Sequence, residues 1–252
     1  MKKTLPALLT LCCLNLLVLN SSYGQTAFDT ISLRTAADRV KARFDQAIGE
    51  QSALYNGPEY YFYNPTKLRG SAYFMENTTS TGDVSYDGLE FKGVPLFYDL
   101  YKDEVVTVLP DNKSYFSLLP ALVQNFDLLN HHFIKINANE TGIDAGITSG
   151  YYEELYPGRS EVLEKIAKGV KEVTSSTGTM EAFSTFTAAS ENFFIKKGNV
   201  YYPANGESAA VEIFKEKKKQ VKNYIKANKI RFRNGVGQAL TSIAAYYDSL
   251  TN

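Results

Sequence analysis

The chain has 252 residues and is formally neutral, with 27 Lys and Arg against 27 Asp and Glu. That balance gives no overall pull toward nucleic acid or anionic membrane. An aromatic content of 13%, all Tyr and Phe with no Trp, and a length suited to one large domain predict a soluble, globular product with an ample core.

The N-terminus carries an export pattern. Lys2 and Lys3 form a positive start, Leu5 to Leu19 is an apolar stretch broken only by Pro6, Thr10 and Asn15, and Ser22 and Gly24 place small residues at −3 and −1 before Gln25. The apolar run is too short for a stable membrane span. Residues 1–24 are therefore expected to be a signal peptide cleaved near Gly24-Gln25, and the product to work in the periplasm, at the outer membrane or as a secreted protein. Cys12 and Cys13, the only cysteines, lie inside the apolar stretch, and Leu11 stands where a lipoprotein signal needs a small residue. Cleavage would leave a cysteine-free chain without a disulfide, thiolate metal site or cysteine nucleophile.

Residues 25–252 read as a single α+β domain with 25 basic and 27 acidic residues and no transmembrane span. Residues 36–49 have helical spacing in Ala36, Ala37, Val40, Phe44, Ala47 and Ile48, with Thr35 and Asp38 as a capping pair. Asn56-Gly57-Pro58 breaks the chain. From 59 to 202 the signal is mainly antiparallel strand. Tyr60–Tyr63 and Ala72–Met75 are aromatic runs. Asp87-Gly88 predicts a two-residue hairpin in which Tyr86 faces Leu89, Ser85 faces Glu90 and Val84 faces Phe91. Strands follow at Val94–Tyr101 and Glu104–Leu109 around Lys102-Asp103, and then at Ser114–Leu119 and His132–Ile136, with a helical turn weighed over Leu118–Phe126.

Tyr151–Tyr156 reads as a strand ending at Pro157-Gly158. Residues 160–170 are ambiguous: Val162, Ile166, Val170 and Val173 keep helical spacing, with Glu161→Lys165 and Glu164→Lys168 as supporting pairs, whereas Pro-Gly is a turn signal. A Thr/Ser-rich loop follows at 174–179. Asn192–Tyr202 predicts a second hairpin about Lys197-Gly198, pairing Ile195 with Val200, Phe194 with Tyr201 and Phe193 with Tyr202, and aromatic on both faces. Residues 206–250 read as two helices. Asn205 caps the first, which carries Val211, Phe214, Lys218, Val221 and Ile225. Asn234-Gly235 interrupts, and the last helix carries Val236, Leu240, Ile243, Ala244, Tyr247 and Leu250. The fold expected is an antiparallel, hairpin-connected sheet, curved or half-barrel-like, preceded by one helix and packed by two.

The stretches Ser52–Tyr63, Val94–Val106, Gly150–Gly158, Phe193–Tyr202 and Tyr246–Leu250 resemble those of a group of exported proteins of Bacteroidota. The resemblance implies a hairpin at Pro157-Gly158, and thus a strand over 160–168, and supplies no catalytic residue. It also implies O-glycosylation at Asp-Ser/Thr followed by an apolar residue, a pattern met at Thr30 in Asp29-Thr30-Ile31 and at Ser249 in Asp248-Ser249-Leu250.

Catalytic patterns are missing. No serine-hydrolase motif, HExxH, Walker loop or GxGxxG is found. His131 and His132 are adjacent, so on a strand they point apart and cannot share one ion with Asp127 without a bulge. Asp99 and Asp103 share a strand face but lie roughly 13 Å apart at the usual rise, beyond either glycosidase geometry. No cofactor is expected. One charge anomaly stands out: Lys215, Lys217, Lys218, Lys219, Lys222, Lys226, Lys229, Arg231 and Arg233 against Glu216 alone. It reads either as a solvated helix face or as a contact for an anionic partner such as an envelope protein, glycan or lipid, with nucleic acid disfavoured by export. The function expected is a non-enzymatic binding or accessory protein of the bacterial envelope. The alternative is a carrier of a lipid or other apolar ligand in a curved sheet.

Overall fold

A computed structural model describes residues 39, 49–75, 78–138, 147–174 and 182–251. The fold below is that of the compact unit of residues 51–252. The signal peptide expected over 1–24, Thr30, the cysteines, most of 174–179 and, apart from Arg39 and Gly49, the helix expected over 36–49 lie outside the described residues.

Among the described residues, thirteen strands make two sheets. The larger contains β2 (Ser80–Tyr86), β3 (Leu89–Asp99), β4 (Glu104–Val108), β5 (Tyr115–Ser117), β6 (Val123–Leu128), β7 (His131–Ile136), β8 (Gly150–Tyr156), β9 (Ser160–Ala167), β12 (Ser190–Lys197) and β13 (Val200–Pro203). Its order is β13-β12-β9-β8-β7-β6-β2-β3-β4-β5, every pair antiparallel, and the ends do not join. The smaller sheet runs β1 (Leu68–Arg69), β11 (Phe183–Phe186), β10 (Val170–Val173). Three α-helices follow: α1 (Glu207–Ile213), α2 (Lys218–Ala227) and α3 (Val236–Ser249).

The Asp87-Gly88 hairpin pairs as its residues dictate, Val84 with Phe91, Ser85 with Glu90 and Tyr86 with Leu89. Both turn residues have φ above zero, 52° and 75°, as a type I′ turn requires. The second hairpin differs from the sequence reading. Lys197 pairs with Val200 and Ile195 with Tyr202, so the turn is Gly198-Asn199. The first turn position holds φ +63°, which glycine takes without the cost a lysine would carry there. The two-residue shift preserves the faces: Phe193 and Ile195 pack toward the helices, while Phe194 and Tyr201 pack with Tyr152 and Leu163.

Other expectations are corrected. Residues 160–167 are strand, as the turn signal and the resemblance indicate. The helix-supporting pairs do not form, since Glu161 binds Lys196 and Lys165 binds Asp103. Of the helical turn weighed over Leu118–Phe126, Leu119–Leu122 form a single turn, the Leu122 N–H donating to the Leu119 carbonyl at 2.9 Å, and Val123–Phe126 belong to β6. Tyr60–Tyr63 and Ala72–Met75 are irregular chain, tied to the sheet by isolated bridges at Glu59 and Tyr73. Strand β3 stops at Asp99, and the hairpin loop is Leu100–Asp103. The first C-terminal helix breaks into α1, a 3-10 turn at Lys215–Lys217, and α2. Asn205 does not cap it; its Oδ1 accepts a hydrogen bond from the Phe193 backbone N–H, and Gly206 holds the cap position.

The large sheet coils on itself. Tyr98 of β3 and Tyr151 of β8 stand four strand spacings apart, about 19 Å in a flat sheet, yet their rings lie 5.9 Å apart, edge to face. Tyr98 also meets Phe133 of β7 at 5.3 Å. Register shifts at Gly82/Val84, Ser85/Tyr86 and Glu154/Tyr156 supply local bending, as β-bulges do. The inside of the coil is filled by Tyr86, Tyr98, Phe126, Phe133, Tyr151 and Leu54, all buried. A second core lies between β9, β12 and the helices, through Val162, Phe193, Ile195, Val211, Phe214, Leu240, Ile243 and Tyr247.

Asp99, fully buried, holds the outer layer to β3. Its Oδ2 accepts from the Tyr60 and Tyr63 hydroxyls, each at 2.7 Å, and its Oδ1 from the backbone N–H groups of Tyr101 and Lys102 at 2.9 and 3.0 Å. Burial first, and then this carboxylate, push the Tyr60 and Tyr63 hydroxyls far up. An amide in its place would present a donor to one of these two donor pairs. Asp99→Asn is accordingly expected to lose about 2–3 kcal/mol in urea unfolding, and Lys102→Gln, which removes an exposed cation 4.4 Å from the centre of the Tyr60 ring, about 0.5–1 kcal/mol.

Candidate functional site

The four residues on which a catalytic reading depends do not converge. Asp99 is occupied as described. Asp103 accepts hydrogen bonds from the Tyr98 hydroxyl and the Tyr151 N–H and pairs with Lys165 Nζ at 2.8 Å. His131 and His132 point apart, as expected: His131 Nδ1 lies 2.6 Å from Glu153 Oε1 and His132 Nδ1 lies 2.7 Å from Asp127 Oδ1. Among the described residues no group of three or more His, Cys, Asp or Glu is placed to hold a metal ion.

A cleft of about 450 Å³ forms where the coil meets β9 and β12. Its floor follows from strand parity. Glu153 of β8 is directly opposite Glu164 of β9. Glu191 of β12 is opposite Ile166, two residues beyond Glu164. Phe74, Leu100, Ile166 and Met75 give it apolar walls, and His131 and Lys168 stand at its sides. Glu153 is only 8% exposed and bonds to His131. Lys168 Nζ is engaged by the carbonyls of Ser71 and Tyr73 at 2.9 and 3.1 Å. Glu164 has no side-chain partner among the described residues. Burial, then the charges of Glu153 and Glu191, push its carboxyl up to about 7. The cleft thus offers a carboxyl poised near neutrality against apolar walls.

Sequence reasoning missed this site. A signal was present: Glu153 lies between Tyr151 and Leu155, and Glu164 between Val162 and Ile166, so each puts an acid at the inward parity of a strand. The ambiguity over 160–170 hid the second of them.

The basic run lies on the far side of the helical layer. Lys215, Lys218, Lys219, Lys222, Lys226, Lys229, Arg231 and Arg233 are all exposed, while α2 buries Val221 and Ile225. Glu216 is paired with Lys197 at 2.8 Å, and Lys218 reaches Glu212 at 3.4 Å. Ser249 is exposed in the last turn of α3 and donates to the Tyr246 carbonyl. The neighbouring Asp248 is buried, its Oδ2 accepting from the Tyr156 hydroxyl and the Ser160 N–H. No helix among the described residues is long and apolar enough to cross a membrane. Compared with protein families, curated proteins and solved structures, the chain matches none.

Glu164 makes stability depend on pH. Its folded pKa lies above the unfolded value near 4.5, so between those values the folded state holds the extra proton and stability falls as pH rises. The loss is complete above about 7. After discounting for solvent screening, Glu164→Gln is expected to gain about 1 kcal/mol on the parent between pH 5 and pH 8, measured by urea unfolding at both pH values.

Proposed function

We propose that this chain is an exported, non-enzymatic binding protein of the bacterial envelope. Its ligand site is the cleft over Glu164, and the ligand joins an apolar body to a cationic or hydrogen-bond-donating head. One observation carries this reading: a half-buried carboxyl without a side-chain partner among the described residues, at the floor of a cleft walled by Phe74, Leu100, Ile166 and Met75. An unpaired buried acid is costly, and a bound ammonium or donor offsets that cost. The volume lies in the range of small-ligand sites, roughly 300–1,000 Å³. A binding role is further supported by the separate structural partners of Asp99, Asp103, His131 and His132.

The second reading, a carrier of an apolar ligand in a half-barrel, is favoured by the coiling of the sheet. Rings of Tyr98, Phe126, Phe133 and Tyr151 occupy the coil itself, so a carried ligand would lie in the cleft, at a size well below a whole diacyl lipid. Export rests on Lys2, Lys3, the apolar run to Leu19 and Ser22-Tyr23-Gly24.

Two measurements bear on this. Phenethylamine at pH 8 is expected to raise the melting temperature while 3-phenylpropionate, close in size and opposite in charge, does not. The effect should vanish in Glu164→Gln and at pH 5, where Glu164 is neutral. Equal responses to both probes would contradict the assignment. For export, N-terminal sequencing of protein from the producing cell is expected to begin near Gln25, and Met1 retained on cytosolic protein would rule it out.

A further inference from the structure

The basic run becomes more pointed once its surroundings are known. Its nine cations face one acid within the run, Glu216. Lys197, from the β12 end, already pairs with that acid at 2.8 Å. Lys219, Lys222, Lys226, Lys229, Arg231 and Arg233 have no ion-pair partner among the described residues. From Lys217 to Tyr247 the chain contains no Asp or Glu. Outside residues 215–233 the chain carries 18 Lys and Arg against 26 Asp and Glu, so a neutral total conceals a strongly divided one.

Geometry collects these charges. At 3.6 residues per turn, Lys218, Lys219, Lys222 and Lys226 fall within about 100° of arc on α2. Val221 and Ile225, beside that arc, are buried against the rest of the helical layer. Tyr224 is taken up by stacking on Tyr246 of α3, ring centres 4.0 Å apart. The apolar side of α2 is therefore already used, and the helix cannot sink it into an acyl layer. Beyond α2 the chain continues through Lys229, Arg231 and Arg233 to the start of α3, which has no acidic residue in its first turn and no side-chain cap. Its dipole adds positive potential at the helix start that follows Arg231 and Arg233 in the chain.

The composition of this face discriminates between occupants. A folded protein partner is held by buried aromatic and aliphatic anchors, and none of the large exposed hydrophobics, among them Tyr61, Phe62, Met75, Tyr101 and Tyr202, falls between 215 and 233. What the face offers is mobile point charge at high density. That suits a surface of many phosphates with no fixed pattern.

We propose that the face of α2, extended by Lys229, Arg231 and Arg233, docks on the phosphate surface of an anionic bilayer. The contact is electrostatic and peripheral, with α2 lying along the headgroups and no side chain inserted. It leaves the cleft over Glu164 untouched, so the two sites can fail independently.

The test is flotation of the full chain with vesicles of phosphatidylcholine alone and of phosphatidylcholine with one-third phosphatidylglycerol. Binding to the anionic vesicles is expected, fading as salt shortens the screening length. Each exposed Lys contributes about fivefold to partitioning, so Lys219→Gln/Lys222→Gln/Lys226→Gln is expected to weaken it about a hundredfold. A control removes the same charge elsewhere, at the exposed Lys67, Lys92 and Lys113, and is expected to stay within several-fold of the parent. Circular dichroism of both triple variants confirms that each is folded. Three results would overturn the proposal: equal binding to neutral vesicles, equal losses in the two triple variants, or binding to a soluble acidic protein or to DNA with none to anionic vesicles.

Discussion

One carboxylate closes the coil. Asp103 sits in the β3–β4 loop with φ +59° and reaches across the sheet to Lys165 of β9, while Lys165 Nζ also donates to the Tyr151 carbonyl at 3.0 Å. In sheet order β3 and β9 are five spacings apart, about 24 Å if flat. A backbone hydrogen bond from the Lys168 N–H to the Leu100 carbonyl at 3.2 Å repeats the contact. Everything inside the coil depends on this closure. It brings the rings of Tyr98, Phe126, Phe133 and Tyr151 together as one aromatic core, and edge-to-face packing then stabilises the curvature that produced it.

The same closure decides which polar groups are available. Asp99 is consumed in fastening the chain around Tyr60 and Tyr63, Asp103 in the clasp, and His131 and His132 in separate pairs with Glu153 and Asp127. Glu164 is the exception, because the closure half-buries it beside Glu153 and Glu191 without bringing a cation near enough to pair. The cleft is thus a by-product of coiling, and its chemistry follows from a half-buried carboxyl that has no side-chain partner among the described residues.

Local elements were legible in the sequence and their long-range arrangement was not. Alternation fixed the Asp87-Gly88 hairpin to the residue, because one-residue slippage would turn Val84 and Tyr86 out of the core. Lys197-Gly198 misplaced the second turn, since a two-residue slip keeps every face and only the φ demand at Gly198 distinguishes the registers. Helical spacing over 160–170 was outweighed by pairing with β8 and β12, which gives β9 two neighbours and buries Val162 and Leu163. Coiling leaves no local signal, because contacts such as Tyr98 to Tyr151 join residues that are distant in the chain. The cleft therefore could not be read from sequence, although acids at inward strand parity marked its floor. The basic face was legible, because charge density along one helix is a local property.

Asp103 and Lys165 couple the β3–β4 loop to β9 across the coil. A double-mutant cycle on Asp103→Asn and Lys165→Met, read by urea unfolding, tests it most directly. The half-buried, hydrogen-bonded pair predicts a coupling of about 1–2 kcal/mol. Strict additivity of the two single losses would mean that the β3–β4 loop and β9 do not meet, and the coil, its aromatic core and the cleft would fall with that contact.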